Sequence, residues 1–300
     1  MAERLLTQLD YVVVDVFTDR ALTGNPLAVV FDSVGLGQEE MQAIAREFNL
    51  SETTFVQRRE AATEHAEGIR VRIFTTQEEL PFAGHPTLGT ASVLKLRAPE
   101  TMNGNTIRLA LNVGPIPVRF ADADGLFGEM TQRDPEFGEE LDRANVAQLC
   151  GVQMEDLDRS AAPQVVSTGT AFAIVLLRSS DALSRLRVKQ DEATSWLRER
   201  GARWFYVLGP TGEETPGYRA RMQFNGGEDP ATGSAAGCAI SYLVGQGKVE
   251  SQARIHLRQG AEMLRPSDLF LSARRDGTRV TDVRVAGSTV LVAQGQLFLS

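Results

Sequence analysis

Two stretches of the chain repeat one turn and mount different side chains on it. Glu79-Leu-Pro81-Phe-Ala-Gly84-His85-Pro-Thr-Leu-Gly89-Thr-Ala91 is echoed by Glu228-Asp229-Pro230-Ala-Thr-Gly233-Ser234-Ala-Ala-Gly237-Cys-Ala239, and both read Glu-x-Pro-x-x-Gly. Gly84 and Gly233 stand 149 positions apart, half of a 300-residue chain. In each copy a β-type run leads in and small residues lead out, so the glycine opens a helix. A helix start exposes backbone N–H groups with partial positive charge, and two of them facing one cleft suit a small anion such as a carboxylate. Gly84 and Gly233 let a ligand come close to the backbone or simply permit the turn, and Ser234 is a cap, a ligand to substrate, or both. His85 sits between Gly84 and Pro86, where a helix N-terminus lowers its pKa and keeps a neutral imidazole able to donate or accept a hydrogen bond. Asp229 lies before Pro230 near the positive end of the next helix, as a turn residue or as a carboxylate that holds a substrate amine or hydroxyl. Glu52, in Asn49-Leu-Ser-Glu52-Thr-Thr-Phe55, follows an amphipathic helix and starts a strand. A carboxylate entering an apolar cleft has its pKa raised, which suits a general acid/base near neutral pH, whereas an exposed Glu at this place would be structural.

Other chemistries lack their residues. The sequence has no His-Glu-x-x-His, Cys-x-x-Cys, Gly-x-Ser-x-Gly or complete phosphate-binding loop; Gly245-Gln-Gly247-Lys248 is a fragment of the last. Cys150 and Cys238 are the only cysteines, which excludes a disulfide scaffold and a four-cysteine metal site and fits a reducing compartment, the cytoplasm by default. Cys238 reads as a small buried hydrophobe. Lys and Arg number 31 against 39 Asp and Glu, a formal net charge of -8, the wrong sign for a phosphate backbone, so nucleic acid is not an expected partner. Residues Met1–Asp10 carry no apolar core of export-signal type and no run approaches a membrane span, so no membrane association is expected.

Stepping along the chain, β-branched runs bounded by Gly, Pro, Asp and Asn predict strands at Tyr11–Phe17, Leu27–Phe31, Thr53–Gln57, Gly68–Phe74, Thr106–Leu111 and Ile116–Phe120. Helical spacing predicts Gln38–Phe48 and Thr87–Leu96, each burying one face. The second half predicts strands at Leu126–Thr131, Gln164–Ser167, Phe172–Leu177, Trp204–Leu208, Tyr218–Phe224, Ala253–Leu257, Asp268–Ala273, Arg279–Val285 and Thr289–Val292, and helices at Asp142–Cys150, Lys189–Arg200 and Ser234–Val244. Strands do not alternate strictly with helices, so the class is α+β with many antiparallel pairs. The length suits two domains, and the repeat makes them a duplicated lobe. We place the lobes at 1–122 and 123–287, joined through Asp122-Ala-Asp-Gly125, with a last strand near 288–300 that pairs with either sheet.

At these residues the sequence resembles the PhzF-like family, the phenazine-biosynthesis isomerases and their relatives with the diaminopimelate epimerase-like fold. The resemblance spans nearly the whole chain. It includes Asp15-Val-Phe-Thr with Gly24-Asn25-Pro26, Leu50-Ser-Glu52-Thr-Thr-Phe55, the Gly84-His85 and Asp229 to Ser234 motifs, Ser167-Thr-Gly169, Gln259-Gly260 and Arg265-Pro-Ser267. It implies two similar lobes, each a mostly antiparallel sheet around a central helix, with the active site in the cleft between them, in a homodimer that needs no cofactor. Carried over, it makes Glu52 the acid/base that moves a proton between carbons. His85 and Asp229 become its partners in protonation and positioning, and Gly84, Gly233 and Ser234 the lining that receives a carboxylate. The implied reaction is isomerisation of a small carboxylate-bearing metabolite such as trans-2,3-dihydro-3-hydroxyanthranilate; a catalytically silent metabolite-binding or protein-interaction relative is the alternative. Amino-acid racemases of the same fold use paired thiols, and the repeats put Ala83 and Thr232 at those places. Two departures bear on substrate fit: Phe74-Thr-Thr-Gln-Glu-Glu79 lacks an expected proline, and Asn225-Gly-Gly227 precedes Glu228.

Overall fold

The computed structural model describes residues 7–121, 125–212, 217–224 and 226–299. The chain divides into two compact units, Met1–Met130 with Ser288–Ser300, and Thr131–Gly287. Asp122–Asp124 of the expected linker and Asn225 lie outside the described residues.

The first unit contains β1 (Thr7–Val16), β2 (Asn25–Val30), α1 (Gln38–Phe48), β3 (Glu52–Gln57), α2 (Ala61–Glu67), β4 (Ile69–Phe74), β5 (Glu79–Leu80), α3 (Gly84–Arg97), β6 (Thr106–Leu111), β7 (Gly114–Phe120) and β8 (Gly128–Thr131). The second contains β9 (Glu136–Glu140), α4 (Arg143–Cys150), β10 (Gln164–Ser167), β11 (Ala171–Leu176), α5 (Gln190–Glu199), β12 (Trp204–Pro210), β13 (Gly217–Arg221), β14 (Gln223–Phe224), β15 (Gly227–Glu228), α6 (Gly233–Gly245), β16 (Ile255–Gln259), β17 (Ser267–Asp276) and β18 (Arg279–Gly287). The chain then returns to the first unit as β19 (Thr289–Leu299), antiparallel to β1.

The strands of the two units repeat one pairing pattern. From β19 through β1, β2, β3, β4, β6 and β7 to β8 the successive pairings are antiparallel, antiparallel, parallel, antiparallel, parallel, antiparallel and antiparallel. From β9 through β10, β11, β12, β13, β16 and β17 to β18 the series is the same. A shared turn motif and a shared pairing series together establish a duplicated unit, and the class is α+β with mostly antiparallel sheets.

Each sheet encloses a helix. All residues from Gly84 to Leu94 of α3 are buried, as are all from Gly233 to Val244 of α6. This differs from the one-face burial expected for the first helix, because small residues let it sit inside the sheet with no solvent side. A Cβ at Gly89 would come 2.7 Å from the side chains of Leu27 and Val16. Three hydroxyls on these helices bond to their own preceding turn, Thr87 to the Ala83 carbonyl at 2.7 Å, Ser92 to Leu88 at 2.9 Å and Ser241 to Gly237 at 2.8 Å, and Thr90 pairs with Thr54 of β3 at 2.8 Å. The outer faces are covered separately, by α1 on Leu9, Phe55 and Phe74 and by a core that joins Val146, Leu149 and Leu197 to Val175, Phe205 and Val207.

Other differences from the sequence reading have local causes. The helix α2 has no buried residue, and β9 is exposed throughout, so neither shows an apolar period. The last strand runs past the β-branched run Thr289–Val292 to Leu299, within the 288–300 span, because ladder pairing with β1 carries it through the polar Gln294-Gly295-Gln296. Among the described residues no helix is long and apolar enough to cross a membrane. Replacing Gly89 by Val should lower unfolding free energy by about 1–3 kcal/mol through overpacking. A urea melt with an unchanged midpoint would show that α3 is not tightly enclosed.

Candidate active site

Glu52 is placed by the end of α1. Asn49 closes that helix in the left-handed region, φ 51°, with its N–H on the Ala45 carbonyl, and the chain turns directly into β3, where Glu52 is in parallel register with Leu27 of β2. Three positions earlier in sequence than Ala28, Asn25 opens β2 and is fully buried. His85 is the second residue of α3 and is 3% exposed.

These three side chains form one chain of contacts. Asn25 Nδ2 meets His85 Nδ1 at 3.1 Å, and His85 Nε2 meets Glu52 Oε2 at 3.3 Å. With the Asn25 amide donating, Nδ1 is the acceptor and the ring proton sits on Nε2, facing the carboxylate. Burial pulls the His85 pKa down to about 3. The sequence reading expected a neutral imidazole through the helix terminus; the structure makes it neutral through desolvation. A neutral ring forms no ion pair with Glu52, and at 3.3 Å its Nε2 lacks the alignment of a hydrogen bond. The pair is therefore a carboxylate beside a weak, unspent donor.

In the second unit Asp229 is buried, with its backbone N–H on the Met222 carbonyl at 2.9 Å and its Oδ2 accepting from Thr232 Oγ1 at 2.7 Å. Ser234 and Gly233 are buried in the first turn of α6. Neither Ala83 nor Thr232, the cap residues of α3 and α6, makes a side-chain cap hydrogen bond. The backbone N–H groups at both helix starts are thus not covered by capping side chains.

The glutamate that begins each motif has a role that sequence reasoning missed. Arg72 grips Glu79 through two hydrogen bonds, 2.8 and 2.6 Å, and Arg221 grips Glu228 through two of the same lengths. Each Arg stands seven residues before its Glu, and the pairs are offset by the same 149 positions as the glycines. The signal was present in the sequence as a second element of the repeat. Such bidentate pairs fix orientation as well as charge, and they brace the strand that leads into each turn. The Arg72 hydrogen bond is the main reason that the Glu79 carboxyl is held below its usual range. A further missed residue is Gln132, buried with its Nε2 on the Gly233 carbonyl at 2.9 Å and its Oε1 accepting from Thr168 at 2.7 Å. Gly237 leaves the room that its amide occupies.

Cys150 and Cys238 are buried free thiols, and burial pushes Cys238 up to about 12. Among the described residues no group of three or more His, Cys, Asp or Glu is placed to hold a metal ion.

A family model described as phenazine biosynthesis-like protein matches residues 14–295. The chain belongs to that PhzF-like family. It is 34% identical to a trans-2,3-dihydro-3-hydroxyanthranilate isomerase of Pseudomonas aeruginosa, over 96% of this chain and 99% of the relative. The crystal structure of a PhzF-family phenazine biosynthesis protein from Bacillus anthracis superposes with a TM-score of 0.84 at 25% identity, covering 97% of this chain and 99% of that one. A hydroxyproline epimerase of Agrobacterium vitis shares the fold, with a TM-score of 0.65 at 10% identity over 98% of this chain and 92% of that one.

The depressed His85 pKa has a consequence for stability. The folded state keeps the ring neutral while the unfolded chain takes up a proton below about pH 6.5, so stability present above that pH is lost as pH falls toward the folded value of about 3. In acid-titration melts His85→Asn should lose less stability than the wild type across this window. Parallel pH curves for the two proteins would refute the assignment.

Proposed function

We propose that this member of an isomerase family moves one proton between two carbons of a small carboxylate-bearing substrate, with Glu52 as the general acid/base and without a cofactor. The observation that carries the reading is the Glu52 to His85 contact of 3.3 Å, in which a partly buried carboxylate lies beside an imidazole kept neutral by burial. A single carboxylate can take a proton from one carbon and return it to another, which a 1,3-type shift requires and a racemisation by two opposed bases does not. His85, neutral with its proton on Nε2, serves as a hydrogen-bond donor to the developing charge or to Glu52 rather than as an acid in its own right.

Asp229 takes the positioning role in this reading, and the backbone N–H groups at Gly84, Gly233 and Ser234 receive the carboxylate, each favoured by the positive end of its own helix. A substrate of the kind named for the Pseudomonas relative, a dihydro-hydroxyanthranilate, has both the carboxylate and the adjacent exchangeable carbons. Two-thiol racemisation is disfavoured, because the motif positions hold Ala83 and Thr232 while the only cysteines are buried elsewhere. The cytoplasm fits the two free thiols. A homodimer completes the proposal, supported by the exposed apolar side chains Leu291, Val292 and Phe298 along β19.

Wild-type protein with trans-2,3-dihydro-3-hydroxyanthranilate in D₂O should introduce deuterium into the ring, followed by NMR, and Glu52→Gln should slow this by about 10²-fold or more. Equal rates in the two proteins remove Glu52 from the mechanism. Absence of exchange with both, together with tight binding of anthranilate, would identify a silent binding relative. For the assembly, light scattering should give twice the mass of a 300-residue chain, and Leu291→Glu with Phe298→Glu should halve it. A wild-type monomer would exclude the dimer.

A further inference from the structure

The second unit holds a buried hydrogen-bond chain that the proton transfer does not use. Gln259, the last residue of β16 and 1% exposed, lies at its centre. Its Oε1 accepts from the Tyr206 hydroxyl at 2.8 Å and from the Thr232 backbone N–H at 3.1 Å. Its Nε2 donates to the Asp229 carbonyl at 2.7 Å and to Thr232 Oγ1 at 2.9 Å. Both lone-pair sites and both protons of the amide are thereby engaged, and a flipped amide would set N–H against N–H. Thr232 Oγ1 accepts from Gln259, so its one proton goes to Asp229 Oδ2, 2.7 Å away. Tyr206 is fully buried, which raises its phenol well above the usual value and keeps it a donor. Gly260, at φ +79°, completes the arrangement: a Cβ there would stand 2.6 Å from the Pro230 carbonyl oxygen and lift the strand end off the Asp229-Pro230 turn.

The duplicated unit provides an internal control. The shared strand register places Leu111 where Gln259 stands, Thr54 where Tyr206 stands, and the common motif places Ala83 at Thr232 and Leu80 at Asp229. The first unit encloses its helix equally well with no such chain, so the fold itself does not require it. It occurs in the half that carries Asp229.

We propose that Thr232, held by Gln259 and Tyr206, is a positioning residue that fixes the Asp229 carboxylate in one orientation toward substrate. The inference rests on the reading of Asp229 as a substrate-positioning group. It also gives Thr232 a use at the position where the racemase resemblance would seat a thiol: its hydroxyl is committed to the neighbouring carboxylate.

The test compares Thr232→Val, which removes the O–H and keeps the shape, with Thr232→Ser, which restores it. In crystal structures Thr232→Val should show Asp229 in a different rotamer and Thr232→Ser should show the wild-type one. With trans-2,3-dihydro-3-hydroxyanthranilate, Thr232→Val should lower kcat by about tenfold with KM changed less than about threefold, and Thr232→Ser should recover most of the loss. A merely structural role would lower the melting temperature of both variants without this split or rescue. Thr232→Ala deletes the same hydroxyl and serves if the valine variant does not fold. An unmoved Asp229 in the valine or alanine variant, or wild-type kcat in either, overturns the proposal. If the wild-type protein itself lacks turnover, the functional reading fails while the Asp229 rotamer still decides this one.

Discussion

A helix buried on every side is the constraint from which the rest of this structure follows. Such a helix can offer its neighbours neither large side chains all round nor unpaired polar ones, so α3 and α6 are built from Gly, Ala, Ser and Thr with apolar residues between them. The close approach of Gly89 to Leu27 and Val16 shows how little space is left. Hydroxyls that enter this interior are tolerated because they find partners, in their own preceding turn or, for Thr90, in Thr54 of the surrounding strand β3. A helix that starts inside a sheet also has its first N–H groups away from bulk water, and here no side chain caps them. The same packing that stabilises each unit therefore leaves the N–H groups at its helix start without a capping side chain.

Duplication explains why the two motifs are alike, and divergence explains why they are not interchangeable. Both units retain the glycine that opens the helix and the Arg–Glu pair that braces its approach, at one constant offset. The side chains proposed to act on substrate differ. Strand β3 begins with Glu52 where β12 begins with Trp204, and His85 is matched by Ser234. A carboxylate and a neutral donor were placed in one half, and an oriented carboxylate with its supporting network in the other. Retention of the scaffold and separation of the chemistry is what a duplicated fold allows, since the enclosed helix needs only small residues, whatever polar groups its ends carry.

Much of this was legible in the sequence because its causes are local or repeated. The amphipathic period of Gln38–Phe48 matched the helix residue for residue, since that helix has one solvent face and one buried face. The repeat located both helix starts, since a glycine turn into a small-residue helix leaves a distinctive pattern. Elements without a buried face, α2 and β9, gave no periodic signal at all. Site partners separated widely in sequence were also silent. Asn25 and His85 are sixty residues apart, and only strand pairing brings the start of β2 to the start of α3. Gln259 stands in the resemblance and Gln132 outside it, neither with a hint of what it bonds, because a buried amide is defined by its partners and not by its own neighbours in the chain.

The cause of the His85 shift bears on the chemistry more than its direction does. A helix terminus would favour the neutral ring only by the modest energy of a screened dipole, and a substrate carboxylate bound at that terminus would oppose it by attracting a cation. Desolvation acts differently: it disfavours the charged ring whatever its neighbours, and any further loss of water reinforces the neutral form. An imidazole kept neutral in this way carries one ring proton, and the Asn25 amide donating to Nδ1 places it on Nε2. The group that faces its Nε2 is the Glu52 carboxylate, 3.3 Å away. In the proposed mechanism the mobile proton belongs to Glu52 and His85 stabilises charge, a division of roles set by burial and by a single amide rather than by a second base.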